Sequence, residues 1–172
     1  MAALVTLAFA LPAQASATGE VRAALLKFAA LRSYEMTSVA GVKRTTSDFI
    51  NPDRVHISWP TAELIRIGAT WYWKRGGKWM KTSGGRGAGT IDMPALIRKM
   101  TSEVNGIAAN ALGTKLVRGE SFHVYRITQS DGTTGTLYIG PDGLPRRFQS
   151  KNAEESFVLS KFNAVPPILA PM

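Results

Sequence analysis

The chain has 172 residues, enough for one domain whose folding removes roughly 70% of its extended surface from water. It has no cysteine, which excludes disulfides, thiolate metal sites, cysteine nucleophiles and, in this chain, a lipidated N-terminal cysteine. Lys and Arg number 21 against 12 Asp and Glu; the resulting charge of +9 favours anionic partners, yet the cations are scattered, which argues against nucleic acid.

Residues 1–17 are uncharged and apolar and end in Ala13-Gln14-Ala15-Ser16-Ala17. An apolar run closed by small residues at alternate positions is the pattern of a secretory leader, although no Lys or Arg precedes Arg22 to supply a basic start. Export to the periplasm or beyond is the expectation, with residues 18–172 as the mature domain. No later run of about 20 apolar residues offers a membrane-spanning helix.

Residues 18–32 read as a helix. Thr18 is the expected cap, Glu20 lies in the first turn where the helix dipole favours it, and Val21, Leu25, Phe28 and Leu31 follow helical spacing. Residues 33–39 start a sheet, and residues 43–50 form a polar strand. A meander follows. Val55, Ile57 and Trp59 alternate with Arg54, His56 and Ser58; then come Leu64-Ile65-Arg66-Ile67, Trp71-Tyr72-Trp73-Lys74 and Lys78-Trp79-Met80-Lys81. Asn51-Pro52-Asp53, Pro60-Thr61, Gly68-Ala69 and Gly76-Gly77 are the turns between them. All four tryptophans lie in this stretch.

The glycine-rich residues 83–90 lack the Gly-Lys-Ser/Thr end of a phosphate loop and miss the dinucleotide fingerprint, so they read as a connector or a lid. Residues 92–104 predict a second helix, capped by Asp92, with Pro94 in its first turn and Leu96, Ile97, Met100 and Val104 in one stripe; Asn105-Gly106 stops it. Residues 107–112 read as a further helical turn. Strands return at 115–118, 122–127, 136–139, 144–151 and 156–162, and Pro166-Pro167 enforces an extended tail. The order is helix, about six strands, helix, about five strands. That is α+β, with one large curved antiparallel sheet and helices on one side.

Catalytic chemistry is sparse. The two histidines, His56 and His123, sit on strands without a third metal ligand, and no Gly-x-Ser-x-Gly elbow occurs. Without a nucleophile, base and orienter set, the chain does not read as an enzyme, and no cofactor is expected. The aromatic set is richer and admits two readings: ordinary core, or the wall of an apolar cavity. On the second reading Val55, Ile57, Trp59, Ile65, Ile67, Trp71, Trp73 and Tyr125 line the wall, and Leu96, Ile97 and Met100 close it from the lid helix.

Three segments carry a family resemblance: Asp48-Phe49-Ile50-Asn51-Pro52-Asp53-Arg54-Val55-His56-Ile57, Glu63-Leu64-Ile65-Arg66-Ile67-Gly68, and Trp71 through Gly76-Gly77-Lys78-Trp79-Met80-Lys81. With the later Gly135-Thr136-Leu137-Tyr138-Ile139-Gly140-Pro141-Asp142-Gly143-Leu144-Pro145, they resemble the bacterial lipoprotein-carrier superfamily of LolA/LolB-like and LppX/LprG-like half-barrels. The resemblance implies an exported, non-enzymatic half-barrel of about eleven strands, capped by helices and holding a lipid or a lipoprotein acyl chain. It also implies an interior arginine, for which Arg54 and Arg66 are the candidates. An anionic membrane surface or an envelope protein is the further partner. The alternative is a binding or regulatory module with a filled core that meets anionic partners through its basic surface.

Overall fold

A computed structural model describes residues 16–83, 102–151 and 155–172. Helix α1 (Ala17–Ala29) precedes β1 (Ser33–Ala40), β2 (Lys43–Ile50), β3 (Arg54–Trp59), β4 (Ala62–Ile67), β5 (Thr70–Arg75) and β6 (Lys78–Ser83). A 3-10 turn at Val104–Gly106 leads into β7 (Ala108–Val117), β8 (Glu120–Thr128), β9 (Thr134–Ile139), β10 (Pro145–Ser150) and β11 (Glu155–Ser160).

The eleven strands form one antiparallel sheet in the order β6-β5-β4-β3-β2-β1-β11-β10-β9-β8-β7. Two meanders are therefore joined back to back through the β1–β11 pair, and the edges are β6 and β7, which are consecutive in sequence. A sheet this wide must twist and curl, as the alternation of residues predicts, and its unpaired edges leave it an open half-barrel, as the family resemblance implies. Tight turns hold the first meander in register. Between β5 and β6, Gly76 and Gly77 have φ of 58° and 78°, the left-handed pair that a two-residue hairpin turn demands.

The inner face of the sheet is the one against α1. Its rows follow from the cross-strand partners. Tyr34, Phe49, Val55, Arg66 and Trp71 make one row, and Met36, Ser47, Ile57, Leu64, Trp73 and Met80 the next. Across the seam, Phe157, Phe148, Leu137, Tyr125 and Ala111 continue the same face.

Helix α1 begins at a different residue from the expected cap. Ser16 is the cap: its backbone is extended and its hydroxyl accepts the Gly19 amide at 3.1 Å. Thr18 is the second helical residue, and its hydroxyl instead accepts the Ala109 amide of edge strand β7 at 3.0 Å. The buried stripe is Val21, Ala24, Leu25 and Phe28. Val21, Ala24 and Leu25 pack on Tyr125, Ile127, Leu137 and Ile139, with Val104 and Ile107 filling the side, while Phe28 joins Leu31, Tyr34 and Phe49. Each such aliphatic side chain is worth about 1.5–3 kcal/mol when fully buried.

Of the predicted second helix, residues 102 and 103 are helical and the 3-10 turn ends at Gly106, as the Asn105-Gly106 stop predicts. Its remaining residues, with Leu96, Ile97 and Met100, lie outside the described residues. Arg22 of α1 donates to the Asn105 and Ile107 carbonyls and ties this turn to the helix. The helical turn expected at 107–112 is corrected: residues 108–117 are one strand. Pairing with β8 overrides the helix propensity of Ala-Ala-Asn-Ala-Leu. A register shift between Ala111 and Gly113 leaves Leu112 half exposed on this edge. The proline-rich tail crosses the strand ends: Ser33 Oγ accepts the Val165 amide, and Arg54 donates to the Ile168 carbonyl at 2.8 Å.

Candidate functional site: an aromatic wall on the inner face

The wall is built from three adjacent strands. Val55, Ile57 and Trp59 come from β3, Leu64 and Arg66 from β4, and Trp71 and Trp73 from β5. Val55, Ile57 and Leu64 are buried; the three indoles are half-buried. Trp59 and Trp73 stack with centroids 6.4 Å apart and planes 5° from parallel. The Arg66 guanidinium lies 5.2 Å from the Trp71 ring centre, and its Nε donates to the Gly68 carbonyl at 2.9 Å. Arg66 is thus the inner-face arginine of the two candidates, while Arg54 points to the other side and holds the tail. Behind the wall, Phe28, Leu31, Tyr34 and Phe49 form the buried layer that joins it to α1.

Two of the expected wall residues lie elsewhere. Ile65 pairs with His56 and Tyr72, and Ile67 with Arg54 and Thr70, so both face outward. Strand β4 is apolar on both faces, and the sequence Leu-Ile-Arg-Ile does not declare its phase. The turn does: the two residues Pro60-Thr61 set Trp59 opposite Ala62 and Ile57 opposite Leu64. Counting from that turn would have found Leu64 and Arg66 in the sequence. Tyr125 is on the inner face but in the other half of the sheet, buried beside α1. Its hydroxyl donates to Glu20; burial, and then that carboxylate, push its pKa up to about 12.

Two concavities open among the described residues. A shallow cleft of about 160 Å³ lies between the β3–β4 and β5–β6 turns, bounded by Trp59, Pro60, Thr61, Lys74 and Gly76. A groove of about 370 Å³ runs between Glu20, Ala24 and Lys27 of α1 and His123, Tyr125 and Ile139 of the sheet.

On the outer face, behind the wall, charged side chains gather. His56 Nε2 is 3.2 Å from Glu63, Lys74 is 2.8 Å from the same carboxylate, and Asp48 lies 4.0 Å from His56 Nδ1. Lys74 holds the Glu63 pKa below its ordinary value, whereas burial raises that of Asp48. Ser58 Oγ is 3.4 Å from His56 Nε2, so the residue types of a Ser-His-Asp triad meet here. The distances are those of an ion-pair cluster: the nitrogen a serine would need is shared with Glu63, and Asp48 is beyond hydrogen-bond reach. Among the described residues no cluster of three or more ligands fits a metal ion.

No protein-family model and no curated protein matches the chain. Solved structures do. LprF from Mycobacterium bovis superposes with a TM-score of 0.65 at 13% identity, covering 91% of this chain and 96% of that one. The lipoprotein LppX from Mycobacterium tuberculosis superposes with a TM-score of 0.59 at 16% identity, covering 90% and 99%. The likeness is one of fold: the chain is built on an open half-barrel like those of LprF and LppX.

Proposed function

We propose that the chain is an exported protein that holds a lipid or an acyl chain against the inner wall, for carriage across the cell envelope or sensing within it. The observation that carries this reading is the half-buried cluster of Trp59, Trp71 and Trp73 packed against buried Val55, Ile57 and Leu64. Such a surface takes an acyl chain at about 0.8 kcal/mol per buried methylene, so ten methylenes are enough to hold it without a specific hydrogen bond. Arg66, at the wall beside Trp71, supplies a cation for a carboxylate or phosphate head. Tyr125 belongs to the far end of the same face, and Leu96, Ile97 and Met100 are proposed to close the wall. Export rests on the leader-like pattern of residues 1–17, and no described helix is long and apolar enough to cross a membrane.

The test is titration of delipidated protein with fatty acids, lysophospholipids and phospholipids, read by tryptophan emission and native mass spectrometry. A saturable blue shift and a retained lipid mass are expected, and both are reduced in Trp71→Ala. Absence of both signals across all three lipid classes overturns the reading in favour of a filled core.

A further inference from the structure

The hairpin tips of the first meander gather exposed cations at one end of the half-barrel. Antiparallel order places the β1–β2, β3–β4 and β5–β6 turns side by side at one end, across roughly 20 Å at the usual strand spacing. Lys43, Arg44, Arg75 and Lys78 project there, all exposed, and none has a carboxylate at ion-pair distance among the described residues. The acid of this rim, Glu63, is already matched by Lys74. Val42, at the tip of the β1–β2 turn, is fully exposed. Elsewhere at the same end, Asp131 lies in the β8–β9 turn and exposed Lys151 follows β10. Among the described residues, the three tips beside the tryptophan wall therefore carry a cluster of exposed positive charge. At the opposite end Arg146 pairs with Asp142 and Lys161 with Glu35, while exposed Arg32 and Arg118 stand with exposed Asp53 and Glu120 among the turns.

We infer that these three hairpin tips dock the protein onto an anionic lipid bilayer. Four exposed cations, without an ion pair among the described residues, attract a negative surface, and an apolar residue at the outermost tip can enter the headgroup layer. The Trp59 cleft lies between two of the tips, so docking turns the open end of the wall toward the lipids. Only that last point rests on the proposed lipid binding; the docking itself does not.

Flotation of the full chain with vesicles of phosphatidylcholine alone, or with one quarter phosphatidylglycerol, tests the inference. Binding is expected with the anionic vesicles only and falls as salt rises. Lys43→Glu/Arg44→Glu and Arg75→Glu/Lys78→Glu should each weaken partition at least about 25-fold, from roughly fivefold per cation lost. Lys115→Glu/Arg126→Glu, on the outer face of β7 and β8, changes net charge equally and should cost less than about threefold. A Val42→Trp reporter should shift its emission on the anionic vesicles. Equal losses in tip and control variants, no anionic binding, or a silent reporter would overturn the docking. Fatty-acid uptake without vesicles separates the two ideas. Tip variants that keep uptake but lose flotation confirm that docking is a separate property, whereas a wild type that floats but takes up no fatty acid sinks the proposed ligand and leaves docking standing.

Discussion

The two halves of the inner face are made of the same strands and turns but are finished differently. Over β7–β10 the sheet meets α1, and Val21, Leu25, Ile127, Leu137 and Ile139 are all at or below 9% exposure. Polar groups there include Tyr125 matched to Glu20 and Thr18 matched to the backbone of Ala109. Over β3–β5 the largest side chains of the molecule are only half-buried. A core places its bulkiest apolar groups where burial is greatest, because burial is what makes them favourable. The tryptophan half inverts that order, and the inversion is what the proposed ligand wall requires and a merely packed surface does not.

Truncating each half should expose the difference. Leu137→Ala, 4% exposed beneath α1, should cost about 2–5 kcal/mol in urea unfolding and leave lipid uptake per folded molecule unchanged. Gly135→Ala should cost about 1–3 kcal/mol, because its Cβ would stand 2.3 Å from the Phe148 ring and 2.8 Å from the Gln149 carbonyl oxygen. The ring has some freedom to move; the backbone oxygen has little. Trp73→Ala should behave in the opposite way. Its stability cost should be about 1–2 kcal/mol, below the 3–5 of a fully buried aromatic, while the fluorescence response to fatty acid is largely lost. Equal stability costs for Leu137→Ala and Trp73→Ala, with uptake untouched in both, would erase the distinction between the halves.

How much of this was legible beforehand depended on whether a local signal existed. The meander was readable because Pro60-Thr61, Gly68-Ala69 and Gly76-Gly77 punctuate a period of two, and each turn fixes the next pairing. Val55, Ile57, Trp59, Trp71 and Trp73 fall on one face for that reason. Ile65 and Ile67 were misplaced because hydrophobicity was followed across β4 where the turn count was the better guide. The strand at 108–117 was hidden for a different reason: Ala-Ala-Asn-Ala-Leu has no alternation, and only its partner β8 makes it extended. The join of β1 to β11 had no local signal either, since its partners are more than a hundred residues apart.

At the seam between the halves, Tyr34 is 1% exposed between Phe28 and Phe49, and its hydroxyl has no hydrogen-bond partner. Burial pushes its pKa upward. An unsatisfied buried hydroxyl costs about 1–3 kcal/mol, so Tyr34→Phe should raise stability by about 1 kcal/mol; a loss would reveal a partner for the hydroxyl.

The smallest effect lies behind the wall, at Asp48 on the outer face of β2. One of its carboxylate oxygens is buried without a partner, and burial raises its pKa despite the nearby Lys161 and His56. A carboxyl whose folded pKa exceeds its unfolded value holds its proton more tightly when folded. Its stabilising contribution is complete below the unfolded value, near about 3.9, and is lost as pH rises through the folded one. Glu63 runs the other way: its lowered pKa gives stability above the ordinary glutamate range that is lost as pH falls. Comparing Asp48→Asn with wild type cancels the Glu63 contribution and isolates Asp48. The variant should be modestly more stable at pH 7, and the advantage should fade as pH drops toward 3, where the wild-type carboxyl is neutral in both states. An advantage that persists undiminished at pH 3 would show that packing of the amide, not relief of a buried charge, steadies the back of the tryptophan half.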